Sequence, residues 1–145
     1  MKGEVIAVCR APAKGMQKTD VGEALLVEDK GMEGDAHFGF QNRQISLLNA
    51  EEAEKIKEKV PGLKPGDFAE NLLVKGFDLS KLKLGDRFLV GDAQLEVTQI
   101  GKECHSRCAI YEAAGDCIMP RLGIFCRVVR SGTVCNGDSI KTEHS

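Results

Sequence analysis

The sequence predicts a mainly β protein with some α: a closed or nearly closed β-barrel decorated with a few short helices. Three observations predict it. About eight or nine short runs of strand-forming residues follow one another along the chain. Turn signals built on Gly, Asp, Asn and Pro separate them at short intervals. Only one segment carries a clear helical pattern.

The first strand is read over Gly3 to Arg10, on Val5, Ile6 and Val8. Ala11 to Gly22 reads as a polar loop, with Pro12, Lys14, Gly15, Lys18 and Asp20. Ala24 to Val27 is a second short strand, followed by the Gly-rich turn region Gly31 to Gly39. Arg43 to Leu48 is the third, on Ile45, Leu47 and Leu48. The helix starts at Asn49, an N-cap residue type; Glu51, Glu52 and Glu54 suit its positive end and Lys55, Lys57 and Lys59 its negative end. Pro61-Gly62 stops it, and Pro65-Gly66-Asp67 turns again before a strand over Ala69 to Val74. Lys83 to Thr98 reads as two strands joined at Gly91-Asp92, a hairpin turn by residue type. Helical character returns around Ala109 to Ala114. Gly123 to Val129 is strand-like, Ser131-Gly132 turns, and Val134 to Ile140 closes the chain around the Asn136-Gly137-Asp138 turn.

The chain has 145 residues, enough for one domain with its own core, and is read as a single domain over 1–145 with a frayed polar tail from Lys141. Charged residues make up 29% and the formal net charge is -2, which argues against nucleic-acid binding through bulk charge. No apolar run approaches the ~18 residues of a membrane helix. The first residues alternate like a strand and lack the apolar centre of a signal peptide, so the chain is read as cytoplasmic. In a reducing compartment its six cysteines are expected to be free, metal-bound or catalytic rather than paired.

Three of those cysteines, Cys104, Cys108 and Cys117, lie within one short stretch beginning at Gly101, beside Lys102, His105 and Arg107. Cationic neighbours stabilise a thiolate, which is the form that attacks, carries sulfur or ligates a soft metal. The competing reading of each is a buried structural thiol. For Cys9, Cys126 and Cys135, set among Val, Ile and Phe, the core reading is preferred. His37 and Arg43 flank the Gly-rich turn, where backbone N–H groups and a guanidinium suit a phosphate. Glu70 and Asn71 follow the Pro-Gly-Asp turn; they suit the polar edge of a ligand or pinning of the turn backbone, and Asp67 belongs to the same turn. Arg127 alternates with apolar residues, and an orientation into a barrel cavity is preferred over one toward solvent. No nucleophile–base–acid set is readable, which argues against hydrolase chemistry.

Several segments fall in a characteristic order: Gly34-Asp35-Ala36-His37, Arg43-Gln44-Ile45-Ser46-Leu47-Leu48, Pro65-Gly66-Asp67-Phe68-Ala69-Glu70-Asn71-Leu72, Leu84-Gly85-Asp86-Arg87-Phe88, and the cysteine stretch from Gly101. On these the chain resembles the MOSC domain, the module at the C-terminal end of molybdenum cofactor sulfurases, here as a small stand-alone member. The resemblance covers about Gly3 to Ile140. It implies a strand-rich barrel and a molybdopterin-type cofactor. It also implies one essential cysteine, a metal ligand in some members and a persulfide carrier in others. The match at Ser106-Arg107-Cys108 places that cysteine at Cys108, with Cys104 second through the Gly-Lys-x-Cys-His pattern. His37, Arg43, Asp67, Glu70, Asn71, Lys102 and Arg127 are then candidates for holding the cofactor, and Cys104, Cys108 and Cys117 for holding metal. A cysteine desulfurase or a molybdoenzyme is the implied partner. Ala36 stands where many members have Arg, so an anion contact made by that Arg is either missing here or supplied by another residue.

Two alternatives stand beside this reading. One is a structural zinc module built on Cys104, Cys108, Cys117 and His105 or His37, although Cys-x3-Cys-x8-Cys is irregular for zinc. The other is a non-enzymatic adaptor of cofactor-biosynthesis proteins.

Overall fold

The first strand, β1 (Lys2–Arg10), is the longest among the described residues and belongs to two hydrophobic layers at once. Its pairing slips by one residue between Val5 and Ala7. A bulge of this kind re-aims side chains. Val5 and Val8 therefore enter one core cluster while Ala7 and Cys9 enter another. The computed structural model describes residues 1–12, 18–36, 38–39, 44–68, 70–100 and 123–142.

The further strands are β2 (Thr19–Asp20), β3 (Glu23–Val27), β4 (Gly31–Met32), β5 (Ile45–Asn49), β6 (Leu72–Lys75), β7 (Arg87–Val90), β8 (Ala93–Ile100), β9 (Ile124–Arg130), β10 (Gly132–Cys135) and β11 (Ser139–Thr142). The helix α1 (Ala50–Lys57) lies between β5 and β6, and a single 3-10 turn covers Leu79–Lys81. The order β11-β7-β8-β9-β5-β6-β1 closes on itself because β1 also pairs with β11 at Lys2↔Lys141, Gly3↔Ile140 and Glu4↔Ser139. The result is a closed barrel, as the turn spacing predicts, and seven strands form its wall. β5 and β6 run parallel, which α1 makes possible by carrying the chain back along the wall. Strand β2 extends β1, and β10, β3 and β4 form a separate small sheet.

The barrel interior is filled by side chains that include Phe77, Phe88, Leu47, Leu72, Leu95 and Val128. The second layer lies under α1, where Ala50, Ala53 and Ile56 meet Leu48, Leu73, Phe68 and Phe125. The three helix residues recur at the spacing that puts them on one face. The expected N-cap, Asn49, holds the extended backbone of a cap but makes no side-chain cap bond. Its amide instead donates to the Phe77 carbonyl (2.7 Å) and accepts from Leu79 N–H (3.0 Å), fastening the 3-10 turn to β5.

Four expectations need correction. The loop expected over 11–22 contains β2, whose residues pair with Cys9 and Arg10. The Gly-rich region after β3 contains β4, paired with Leu26 and Val27. Gly132, expected in a turn, opens β10, because only a residue without Cβ fits against the Asp92 backbone there. The tail does not fray at Lys141: Lys141 and Thr142 pair with Leu89 and Phe88, and the N-terminal amine donates to Thr142 Oγ1 (3.0 Å). The expected helix at Ala109 to Ala114 lies outside the described residues. Among the described residues, no helix is long and apolar enough to cross a membrane.

Candidate functional site

Of the residues singled out in the sequence, Asp67, Glu70, Asn71 and Arg127 lie among the described residues. Cys104, Cys108, Cys117, Lys102, His37 and Arg43 lie outside them. The two anchors of the cysteine stretch are described. Ile100 ends β8, Ile124 begins β9, and the two are paired directly. The stretch is therefore rooted between neighbouring strands at one end of the barrel. Cys9, Arg10 and Glu70 lie at the opposite end, because β1 runs antiparallel to β6 and ends where β6 is about to start.

At that end the chain gathers its buried polar groups. Asn71 is buried and both ends of its amide are engaged. Its Oδ1 accepts from Ser46 N–H (2.9 Å) and Oγ (3.1 Å), and its Nδ2 donates to the Cys9 carbonyl (3.1 Å). Asn71 thus ties β1 to β5 just before β6 begins, as a backbone pin within the wall. Asp67 Oδ2 accepts from Lys64 N–H (2.7 Å) and lines a cleft of about 510 Å³ with Lys18, Thr19, Asp20, Gly62, Lys64 and Pro65. Gly66 has φ +94, and a Cβ there would collide with the Lys18 carbonyl, so this turn is pressed onto the start of β2.

Glu70 is wholly buried, at 0% exposure. Phe68 N–H donates to its Oε1 (3.2 Å), while its Oε2 has no hydrogen-bond partner among the described residues. Burial pushes this carboxyl up to about 7, against the opposing pull of backbone N–H groups, and the Asp67 charge adds to the rise. Cys9 faces the same region. Burial first, then the charges of Glu70 and Asp20, push its thiol far above the ordinary range. Lys18 and Asp35 form a buried ion pair at 2.7 Å, and Asp35 Oδ1 also accepts from Ala11 N–H (3.1 Å). Strands β2, β3 and β4 separate these partners in sequence, so the pair is not legible in it.

Arg127 does not enter the barrel. It lies on the outer face, where its Nε is 3.0 Å from Glu96 Oε1, and Arg87 Nε is 2.9 Å from Glu96 Oε2. The reason is strand alternation: Cys126 and Val128 already occupy the interior face of β9. Hydrogen bonds from Arg127 and Arg87 lower the Glu96 carboxyl below its usual range. Gln44 is buried, and its Oε1 accepts from Val128 N–H (2.9 Å), bracing β9. Of the remaining cysteines, Cys126 is buried, its thiol pushed up by desolvation. Cys135 departs from the core reading: it is half-buried and lies 3.3 Å from Glu23 Oε2, which holds it as a thiol. Among the described residues, no group of three or more His, Cys, Asp or Glu converges as a metal site would.

The sequence model of the MOSC domain matches residues 33–141. The crystal structure of the YuaD protein from Bacillus subtilis superposes with a TM-score of 0.80 at 25% identity, covering 97% of this chain and 94% of that one. YiiM from Escherichia coli gives 0.66 at 22% identity, covering 98% of this chain and 69% of that one. YiiM from Geobacillus stearothermophilus gives 0.66 at 18% identity, with 97% and 72% covered. The YiiM structures share the fold. No curated protein sequence matches the chain.

Proposed function

The chain belongs to the MOSC domain family, which is associated with molybdenum-cofactor proteins, and from that membership we propose that it binds a molybdopterin-type cofactor and carries sulfur or the cofactor itself on Cys108. Cys104 is the second candidate for that role. The observation that carries the proposal is one of elimination. Three of the six cysteines are placed, and each is held as a thiol: Cys9 and Cys126 by burial, Cys135 by the Glu23 carboxylate. A thiol is a poor nucleophile and a poor metal ligand. This supports giving the reactive-sulfur role to the cysteines of the stretch Cys104, Cys108 and Cys117, beside the cations Lys102 and Arg107.

The described residues do not fit a metal by themselves, since no donor group converges among them. The donor chemistry that suits a soft metal is that of the three thiols in the 101–117 stretch. When bound, a molybdopterin-type group supplies a sulfur-ligated metal centre. The chain's own step is sulfur exchange. The Cys108 thiolate attacks the outer sulfur of a donor persulfide, a new S–S bond forms on Cys108, and the donor leaves as its thiolate. A cysteine desulfurase would supply such a persulfide, and a molybdoenzyme in maturation would receive the product. This role belongs to the cytoplasm, where free thiols persist.

The test is the metal, pterin and persulfide content of the protein made in a molybdate-supplied host, beside Cys108→Ser. Bound molybdenum, pterin or persulfide that disappears in the variant is the expected result. Stoichiometric zinc alone, lost together with the fold on chelation, would replace this reading with a structural zinc module. Protein that carries none of these species, with Cys108→Ser still complementing in cells, would replace it with an adaptor.

A further inference from the structure

We propose that Arg10 and the Glu33–Ala36 turn form a binding site for a phosphate-type oxyanion. The inference rests on described residues alone and needs no cysteine, so it stands apart from the sulfur chemistry above. Arg10 is the last residue of β1 and is half-buried. Its guanidinium lies flat on Gly34: a Cβ at that glycine would meet Nη1 at 3.1 Å, Cζ at 3.2 Å and Nε at 3.4 Å. Near-equal distances to three atoms of the fork mean that its face, not its edge, rests on the turn. Gly34 has φ +84, so the same residue supplies both the turn and the seat.

Nη1 donates to the Glu33 carbonyl at 3.0 Å, which fixes the rotation of the fork. Among the described residues, its other N–H groups meet no acceptor and no carboxylate pairs with it. The acid in the same turn, Asp35, is committed to Lys18 and to Ala11 N–H. By contrast, Arg87 and Arg127 both share Glu96. A seated, unneutralised guanidinium with a free edge suits two oxygens of one oxyanion. Arg10 also brings a cation to the Gly34-Asp35-Ala36 segment, where Ala36 itself offers none. It comes from another strand, 23 residues from Glu33 in sequence. The oxyanion has two possible sources, the phosphate of a pterin cofactor or a separate phosphomonoester.

The experiment titrates the full chain with inorganic phosphate, followed by 31P line width, for the wild type and for Arg10→Gln, Arg10→Lys and Gly34→Ala. The wild type is expected to saturate. Arg10→Gln should weaken binding roughly tenfold, and Arg10→Lys should fall between, because lysine keeps the charge and loses the fork. Gly34→Ala should weaken it by displacing the fork, with the charge intact. A wild type that does not saturate, or an Arg10→Gln that binds equally well, overturns the proposal. Pterin content of the Arg10→Gln protein separates the sources: a fall assigns the site to the cofactor, and an unchanged content with phosphate binding lost assigns it to another phosphomonoester.

Discussion

Glu70 stores an ionisation cost inside the fold. Its carboxyl is raised in the folded protein from an ordinary 4.5 to about 7. A raised acid binds its proton more tightly when folded, so ionisation opposes folding. The penalty is absent below the unfolded value, grows between about 4.5 and 7, and is complete above that window. At pH 8 it amounts to roughly 3 kcal/mol. Glu70→Gln keeps an acceptor for Phe68 N–H and removes the titration. Its melting temperature should therefore stay nearly flat from pH 5 to 8 while the wild type declines; parallel pH profiles would refute this account. Asn71, one residue on, shows what sequence reading reaches at this scale. Its residue type next to a turn suggests either ligand or pin, and the pinning contacts come from Ser46 and Cys9, distant in sequence. Arg127 shows where such reading fails. Alternation on a strand is legible, but which face looks inward depends on the barrel built around it.

Among the elements, the turn leading into β6 is the most constrained. Gly66 combines φ +94 with direct contact on the Lys18 backbone. Gly66→Ala should destabilise by more than ~1 kcal/mol, since it adds left-handed strain to a collision with backbone that cannot give way. Gly62→Ala in the neighbouring turn is the control: it has φ +93 with open space around it, so it carries the strain alone. Equal chemical-denaturation midpoints for the two variants would show that the β2 contact contributes nothing. The longer strands and α1 were legible because their hydrophobic periods extend over enough residues to be recognised. The two-residue strands β2 and β4 were not, because their pairing is dictated by β1 and β3 rather than by their own composition. Asn49 illustrates the same division, an N-cap residue type whose amide is used to anchor the Phe77–Leu79 segment.

Closure governs the whole molecule. β1 and β11 meet at the seam, and Thr142 bonds to Met1 there through its backbone N–H (3.0 Å). An open seam would expose two strand edges. Deleting residues 141–145 removes the last pairings of β11 with β1 and β7. Losing two or three backbone bonds at about 1 kcal/mol each should lower Tm by roughly 5–10 °C. An unchanged Tm would mean that the seam holds without Lys141 and Thr142.

The sequence by itself determined that this is a β-rich barrel with helical decoration, and its ordered motifs marked the MOSC family. Strand patterns, turn residues and short motifs are all local, so a linear reading captures them. Only the tertiary structure decided that β1 closes on β11, that Lys18 neutralises Asp35, that Arg127 faces outward, and that Arg10 comes to rest on Gly34. Each of these joins residues distant in sequence, and what joins them is the curvature and shear of a closed sheet. That geometry is a property of all seven strands together and is written in no single one of them.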